Sequence, residues 1–270
     1  MKSLMSLAMV LSLVSWAIAD DPPQTVQTPP SKTLPVPGDV FWVEGRPAFL
    51  ILPESRMRDD ITPWVWYAPT MDGLPGLEER WMFEHFLKAG IAIAGIDVGN
   101  SHGSPDGRKL YTSLYRVLTE TRGMAAKPVL LGRSRGGLMT LGWAVDNPHH
   151  VGGFAGIYPV CNLASWPGLA EAAGPWGLSE HELAAQLANH NPLDRAAPLA
   201  RAKVPLFSIH GDSDTVVPLE SNSGEMYKRY RDLGGEMQLV ISKGQGHNMW
   251  SGFFQNQALV DFVIKNALRK

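Results

Sequence analysis

The stretch PVLLGRSRGG, residues 128–137, limits what this chain can fold into more than any other. A short apolar run enters Gly132-Arg133-Ser134-Arg135-Gly136. A helical pattern follows without a spacer, with Leu138, Leu141, Gly142 and Val145 on one face. The order is strand, sharp turn, helix. In that setting GxSxG has a mechanical meaning: the flanking positions must lack side chains for the turn to close, and the serine hydroxyl is lifted clear of the sheet. Ser134 is therefore the candidate nucleophile.

The same alternation runs through the rest of the chain. A hairpin is expected over 40–43 and 48–52 around Glu44-Gly45-Arg46, then a strand at Trp64–Ala68. A helix over 77–89 follows, with Glu78 and Glu79 in its first turn, Lys88 in its last and Gly90 as its stop. Residues 91–98 read as a buried strand, and the loop GNSHGSPDGR leads to a helix carrying Leu110, Leu114, Val117 and Leu118. Beyond the serine turn, strands are expected at 153–160, 205–210 and 237–242, with helices over 225–233 and 254–268. Strands alternating with helices imply an α/β fold: a mostly parallel central sheet flanked by helices, with functional groups at the carboxyl ends of the strands. The rhythm breaks over about 162–202, which has no strand signal and one helix opened by Ser179 with Glu182 at capping-box spacing. That insertion reads as a small cap.

A chain of 270 residues with 44% hydrophobic content can bury a full core, and residues 39–270 read as one domain. Lys and Arg number 24 against 26 Asp and Glu, so charge offers no case for a nucleic-acid partner or an anionic membrane surface. The partner expected is a small molecule or a carbohydrate ester. Residues 1–19 read as a signal peptide, with Lys2, an apolar run over 4–18 and Ala17-Ile18-Ala19 before the expected cut. A secreted or periplasmic protein follows, or a membrane-anchored one where the leader is kept. Residues 20–38, rich in proline and poor in large apolar groups, read as an extended tether. The single cysteine, Cys161, can form no intramolecular disulfide and is expected to pack as a small hydrophobe.

A serine hydroxyl needs a base, and the base an orienting acid. HGDSDTVVP, residues 210–218, follows one expected strand, and GQGHNMW, residues 244–250, follows the next. Together with GRSRGG, in the order Ser, Asp, His, these motifs resemble the α/β-hydrolase superfamily, especially the dienelactone-hydrolase and prolyl-oligopeptidase-like esterases. The resemblance covers the chain from Val40 onward. It implies an α/β-hydrolase fold and a catalytic triad of Ser134, Asp214 and His247, with no metal or organic cofactor. Asp212 competes with Asp214 and suits a turn-stabilising role. His102 is the second choice of base, read as loop structure or a substrate contact.

The oxyanion of the tetrahedral intermediate needs two donors. The amide of Arg135 is one. The loop after Trp64–Ala68 should supply the other, from Thr70 or Met71. Arg133 and Arg135 flank the serine; Asp97 is a structural partner within reach, and in the functional reading Arg135, or else Arg133, adds positive charge near the oxyanion or binds a substrate carboxylate. GxSRxG is similar to the motif of glucuronoyl esterases, though this chain is shorter, has Arg133 where they carry cysteine and Leu138 where they carry a basic residue. Trp166, Trp176 and Trp250 offer flat faces for a sugar or aryl group, Trp250 being nearest His247 in sequence. Trp64 and Trp66 belong to structure. The expected reaction is hydrolysis of carboxylic esters, including acyl or uronate esters of polysaccharides. A prolyl-oligopeptidase-like peptidase is the rival, although such families place a large gating domain before the hydrolase. A non-catalytic binding module on the same scaffold is the reading from a different class.

Overall fold

A computed structural model describes residues 28–54 and 61–269. The leader at 1–19 and the first part of the tether, 20–27, lie outside the described residues. Among the described residues, eight strands form one sheet: β1 (Asp39–Val43), β2 (Arg46–Ile51), β3 (Trp64–Ala68), β4 (Ala92–Ile96), β5 (Val129–Arg133), β6 (Gly153–Ile157), β7 (Leu206–Gly211) and β8 (Met237–Ser242). Their order across the sheet is β1-β2-β4-β3-β5-β6-β7-β8. β1 and β2 pair antiparallel, as do β2 and β4, and every later pair is parallel.

Side chains alternate across a strand, so a sheet covered on both faces needs apolar groups at every position. β3 shows this. Trp64, Trp66 and Ala68 enter one core, while Val65 and Tyr67 enter the other. On the first face Trp66 packs against Trp143 and Tyr111, with ring centroids 4.9 and 5.0 Å away. These residues come from α3 (Gly136–Asp146) and α2 (Pro105–Arg116). The second face is closed by Met82, Phe83 and Phe86 of α1 (Arg80–Lys88), and by Leu259, Val260 and Val263 of α10 (Gln257–Ala267).

Local chemistry explains where the elements stop. Gly90 ends α1 at φ +79°, a conformation that costs a residue with a Cβ. The helix expected over 254–268 is α10, which starts at Gln257 where Asn256 accepts a hydrogen bond from the Leu259 amide, and a separate short helix, α9 (Ser251–Phe254), precedes it. α3 is buried on every side from Gly136 to Val145, not on one face, because it lies beneath both the sheet and the insertion.

The insertion between β6 and β7 holds α4 (Leu169–Ala173), α5 (Glu180–Ala185), α6 (Leu187–His190) and α7 (Ala197–Arg201). The Ser179–Glu182 capping box opens α5. Leu163, Ala172, Trp176 and Leu183 form a small apolar cluster of their own on Leu138, Val160 and Val217. α8 (Ser223–Asp232) joins β7 to β8. Residues 28–38 carry no regular structure, yet they lie against the body. Leu34 and Val36 pack on the second core, and Arg80 Nε donates to the Pro35 carbonyl at 2.8 Å. Among the described residues, no helix is long and apolar enough to cross a membrane.

Candidate active site

Ser134 sits at the carboxyl end of β5 with φ +50°, the left-handed region that a residue with a Cβ enters at a cost of about 1–3 kcal/mol. The neighbouring strand holds it there. The Ser134 amide donates to the Ile157 carbonyl at 3.0 Å, and the Ser134 carbonyl accepts from the Val160 and Gly137 amides at 2.9 Å each. A Cβ on Gly136 would stand 2.1 Å from the Ala68 carbonyl oxygen, and one on Gly132 would stand 2.9 Å from Thr140 Oγ1. Gly136 lets the turn close against β3, and Gly132 lets it close against the start of α3.

The expected base and acid reach this turn from the ends of the last two strands. His247 Nε2 lies 2.9 Å from Ser134 Oγ, and His247 Nδ1 lies 2.8 Å from Asp214 Oδ2. An ionised carboxylate only accepts, so Nδ1 carries the proton and Nε2 is free to take one from the serine. Burial alone would raise the Asp214 carboxyl. Hydrogen bonds from His210, the Val217 amide and His247 outweigh it and hold the group at about 2. Its other oxygen accepts from the Val216 and Val217 amides at 3.0 and 2.8 Å. Asp212 faces elsewhere: its Oδ1 accepts from the Gly244 amide at 2.6 Å and from Ser213 Oγ at 3.0 Å, tying the acid loop to the base loop.

A cleft of about 190 Å³ opens over the serine, lined by Pro69, Leu74, Arg133, Ser134, Arg135, Tyr158, His247 and Met249. Four of these, Pro69 among them, were not legible as site residues. Tyr158, at φ +34°, sets its ring 4.4 Å from the His247 imidazole. Met249 covers the mouth where Trp250 is expected. The Trp250 indole instead folds over Gly252 and meets Phe253 edge-on. Leu74 comes from the loop after β3. His102 is 2% exposed, with Nδ1 unpartnered among the described residues and its ring edge-on to Trp166 at 5.6 Å. Burial, and then the Arg135 charge, lower its affinity for a proton. His102 makes no bond to the serine; it backs Trp166.

The two arginines part company. Asp97, the partner expected for them, is taken by Arg46 at 3.1 Å. Arg133 pairs with the fully buried Glu79 at 2.7 Å, where Tyr67 also donates at 2.8 Å. Glu79, in the first turn of the expected helix, is thus an internal counter-ion. Arg135 meets no carboxylate among the described residues. Its guanidinium bonds the Asn100 side chain and lies 5.1 Å over the Trp166 ring. The amides of Arg135, Thr70 and Met71 form no hydrogen bond among the described residues, as donors for an oxyanion must not. Cys161 is buried, which pushes its thiol up to about 12 and leaves it inert. No group of three His, Cys, Asp or Glu side chains converges as a metal site among the described residues.

Solved structures share this architecture. Dipeptidyl peptidase 4 of Porphyromonas gingivalis is 14% identical with a TM-score of 0.68; the match covers 85% of this chain and 35% of that one. Est1E of Butyrivibrio proteoclasticus is 16% identical with a TM-score of 0.65, covering 86% of this chain and 99% of Est1E. A truncated carbohydrate esterase from gut microbiota is 15% identical with a TM-score of 0.64, covering 82% and 91%. At such identities the likeness is one of α/β-hydrolase fold. No curated protein sequence matches the chain. Residues 114–265, more than half of the 270, match the model of the prolyl oligopeptidase family. That span takes in the serine turn, the acid loop and the base loop, and the chain belongs to the prolyl oligopeptidase family of serine hydrolases.

Proposed function

We propose that this protein hydrolyses carboxylic esters through an acyl-enzyme, with Ser134 as nucleophile, His247 as general base and then acid, and Asp214 as the group that orients the imidazole. The observation that carries the reading is the unbroken relay from Ser134 Oγ to His247 Nε2 at 2.9 Å and from His247 Nδ1 to Asp214 Oδ2 at 2.8 Å. His247 takes the hydroxyl proton as Ser134 attacks the carbonyl carbon, then returns it to the departing alcohol. Water, activated the same way, releases the acid. The Arg135 amide, with that of Thr70 or Met71, bonds the oxyanion in both steps.

The substrate class follows from charge. Arg135 stands at the cleft without a carboxylate partner among the described residues, beside the face of Trp166. A guanidinium next to an aromatic plane suits a sugar ring that bears a carboxylate or its ester. Acyl or uronate esters of polysaccharides are therefore the substrates we propose, with export through the leader at 1–19 as part of the same reading. Peptide cleavage is the second reading, favoured by the family itself and by the peptidase among the similar structures.

Ser134→Ala should lower turnover of a short-chain aryl ester roughly a millionfold and abolish labelling by a fluorophosphonate. Retained turnover refutes the assignment. Acetylated, feruloylated and methyl-uronate sugars assayed beside an aminoacyl anilide separate esterase from peptidase: amide cleavage at a rate matching ester cleavage selects the second.

A further inference from the structure

Lys32 lies in the segment 28–38, far in sequence from the serine turn. Its ammonium nevertheless donates to two consecutive carbonyls of the loop after β3, Thr70 at 3.2 Å and Met71 at 3.1 Å. That loop is where the serine-hydrolase reading places the second oxyanion donor. In a trans peptide the carbonyl and the amide N–H point in opposite directions. A cation gripping the Thr70 carbonyl therefore sets the direction of the Met71 amide, because both belong to one rigid plane. It also polarises that peptide, so the N–H becomes a stronger donor.

We propose that Lys32 is a positioning residue for the oxyanion hole, and that the Met71 amide is the donor it aims. The proposal rests on the serine-hydrolase reading above. The rest of the segment is anchored without this lysine: Trp42 Nε1 donates to the Thr28 carbonyl at 2.8 Å, Arg80 holds Pro35, and Leu34 and Val36 pack on the core. The ammonium is left to act on the loop. Partial burial makes it easier to deprotonate, and the charges of Asp97 and Asp72 oppose that, so the contact is one the fold maintains at some expense.

The test compares the full chain with Lys32→Met and Lys32→Arg. Methionine keeps an apolar stem along the same surface but offers the carbonyls no donor. With an aryl acetate, Lys32→Met should lower kcat roughly tenfold or more while KM stays within about twofold, since the hole acts on the tetrahedral state and not on ground-state binding. Lys32→Arg, which still presents donors to both carbonyls, should recover most of the loss. Phenylboronic acid, whose tetrahedral adduct on Ser134 places an oxygen in the same hole, should bind Lys32→Met more weakly in parallel. A Lys32→Met enzyme with wild-type kcat overturns the proposal. So does a loss that follows a drop in thermal midpoint and is not recovered by arginine. Unaltered protein that neither turns over the ester nor takes a fluorophosphonate label removes the hydrolase reading, and this one with it.

Discussion

Arg133 and Arg135 stand two positions apart, a spacing that in a strand would put them side by side on one face. The turn at Ser134 sends them to opposite sides of the cleft. Arg133 goes inward, 13% exposed, to a carboxylate that is 0% exposed, with Phe254 packed 5.1 Å beneath its guanidinium. Arg135 goes toward the insertion and finds a neutral amide and an indole face. One charge is compensated inside the protein and serves the fold. The other meets no carboxylate among the described residues. Residue type decides neither outcome; the partner does.

The largest test of that contrast is stability. Removing the guanidinium in Arg133→Ala strands Glu79 as a buried, uncompensated charge, which should cost about 3–5 kcal/mol in urea denaturation. The double variant Arg133→Met/Glu79→Gln should be less damaged than Arg133→Ala alone. If the single variant loses no stability, the internal pair is not the structural element claimed.

A second buried carboxylate sharpens the same point through pH. Asp214 is held at about 2 in the folded protein, against an ordinary value of 3.8. A depressed carboxyl stabilises the fold above its unfolded value, and that share is lost as pH falls through the folded one. The advantage of the wild type over Asp214→Asn should be about 2 kcal/mol at pH 7, begin to shrink below about pH 5 and be mostly gone near pH 2. Denaturation curves at three pH values check it; a gap that widens toward acid reverses the sign and breaks the account.

The smallest stability effect belongs to Arg135. Arg135→Ala should change unfolding by no more than about half a kcal/mol, as for a group with no buried charge to compensate. Its backbone amide survives the substitution, so acetate hydrolysis persists. Preference for a methyl-uronate sugar should fall roughly tenfold, the worth of one charge-assisted hydrogen bond. Equal losses on both esters would make Arg135 a general part of the machinery and dissolve the distinction.

The serine turn, the two loops and the alternation of elements are legible in the sequence because each is written over a few neighbouring residues. Strand period, glycine spacing and turn residues are short-range signals. Ser134, Asp214 and His247 each follow an apolar strand, and the structure brings those strand ends together. The helix opened by Ser179 in the insertion is legible for the same reason. Tyr158, Met249, Glu79 and Lys32 are not. Nothing near Glu79 in sequence says that Arg133 and Tyr67 will converge on it. Nothing near Lys32 marks its ammonium for two carbonyls nearly forty residues away. Trp250 misleads because closeness to His247 along the chain does not decide which way an indole turns.

The sequence by itself determined a mostly parallel α/β sheet with a strained serine turn, because backbone stereochemistry and hydrophobic period act between neighbours and require no knowledge of the distant chain. Only the tertiary structure decided which carboxylate takes Arg133, which leaves Arg135 open, and which segment braces the loop after β3. Those choices depend on which groups are buried together, and the strength of a charge or hydrogen bond is set by the water it has lost.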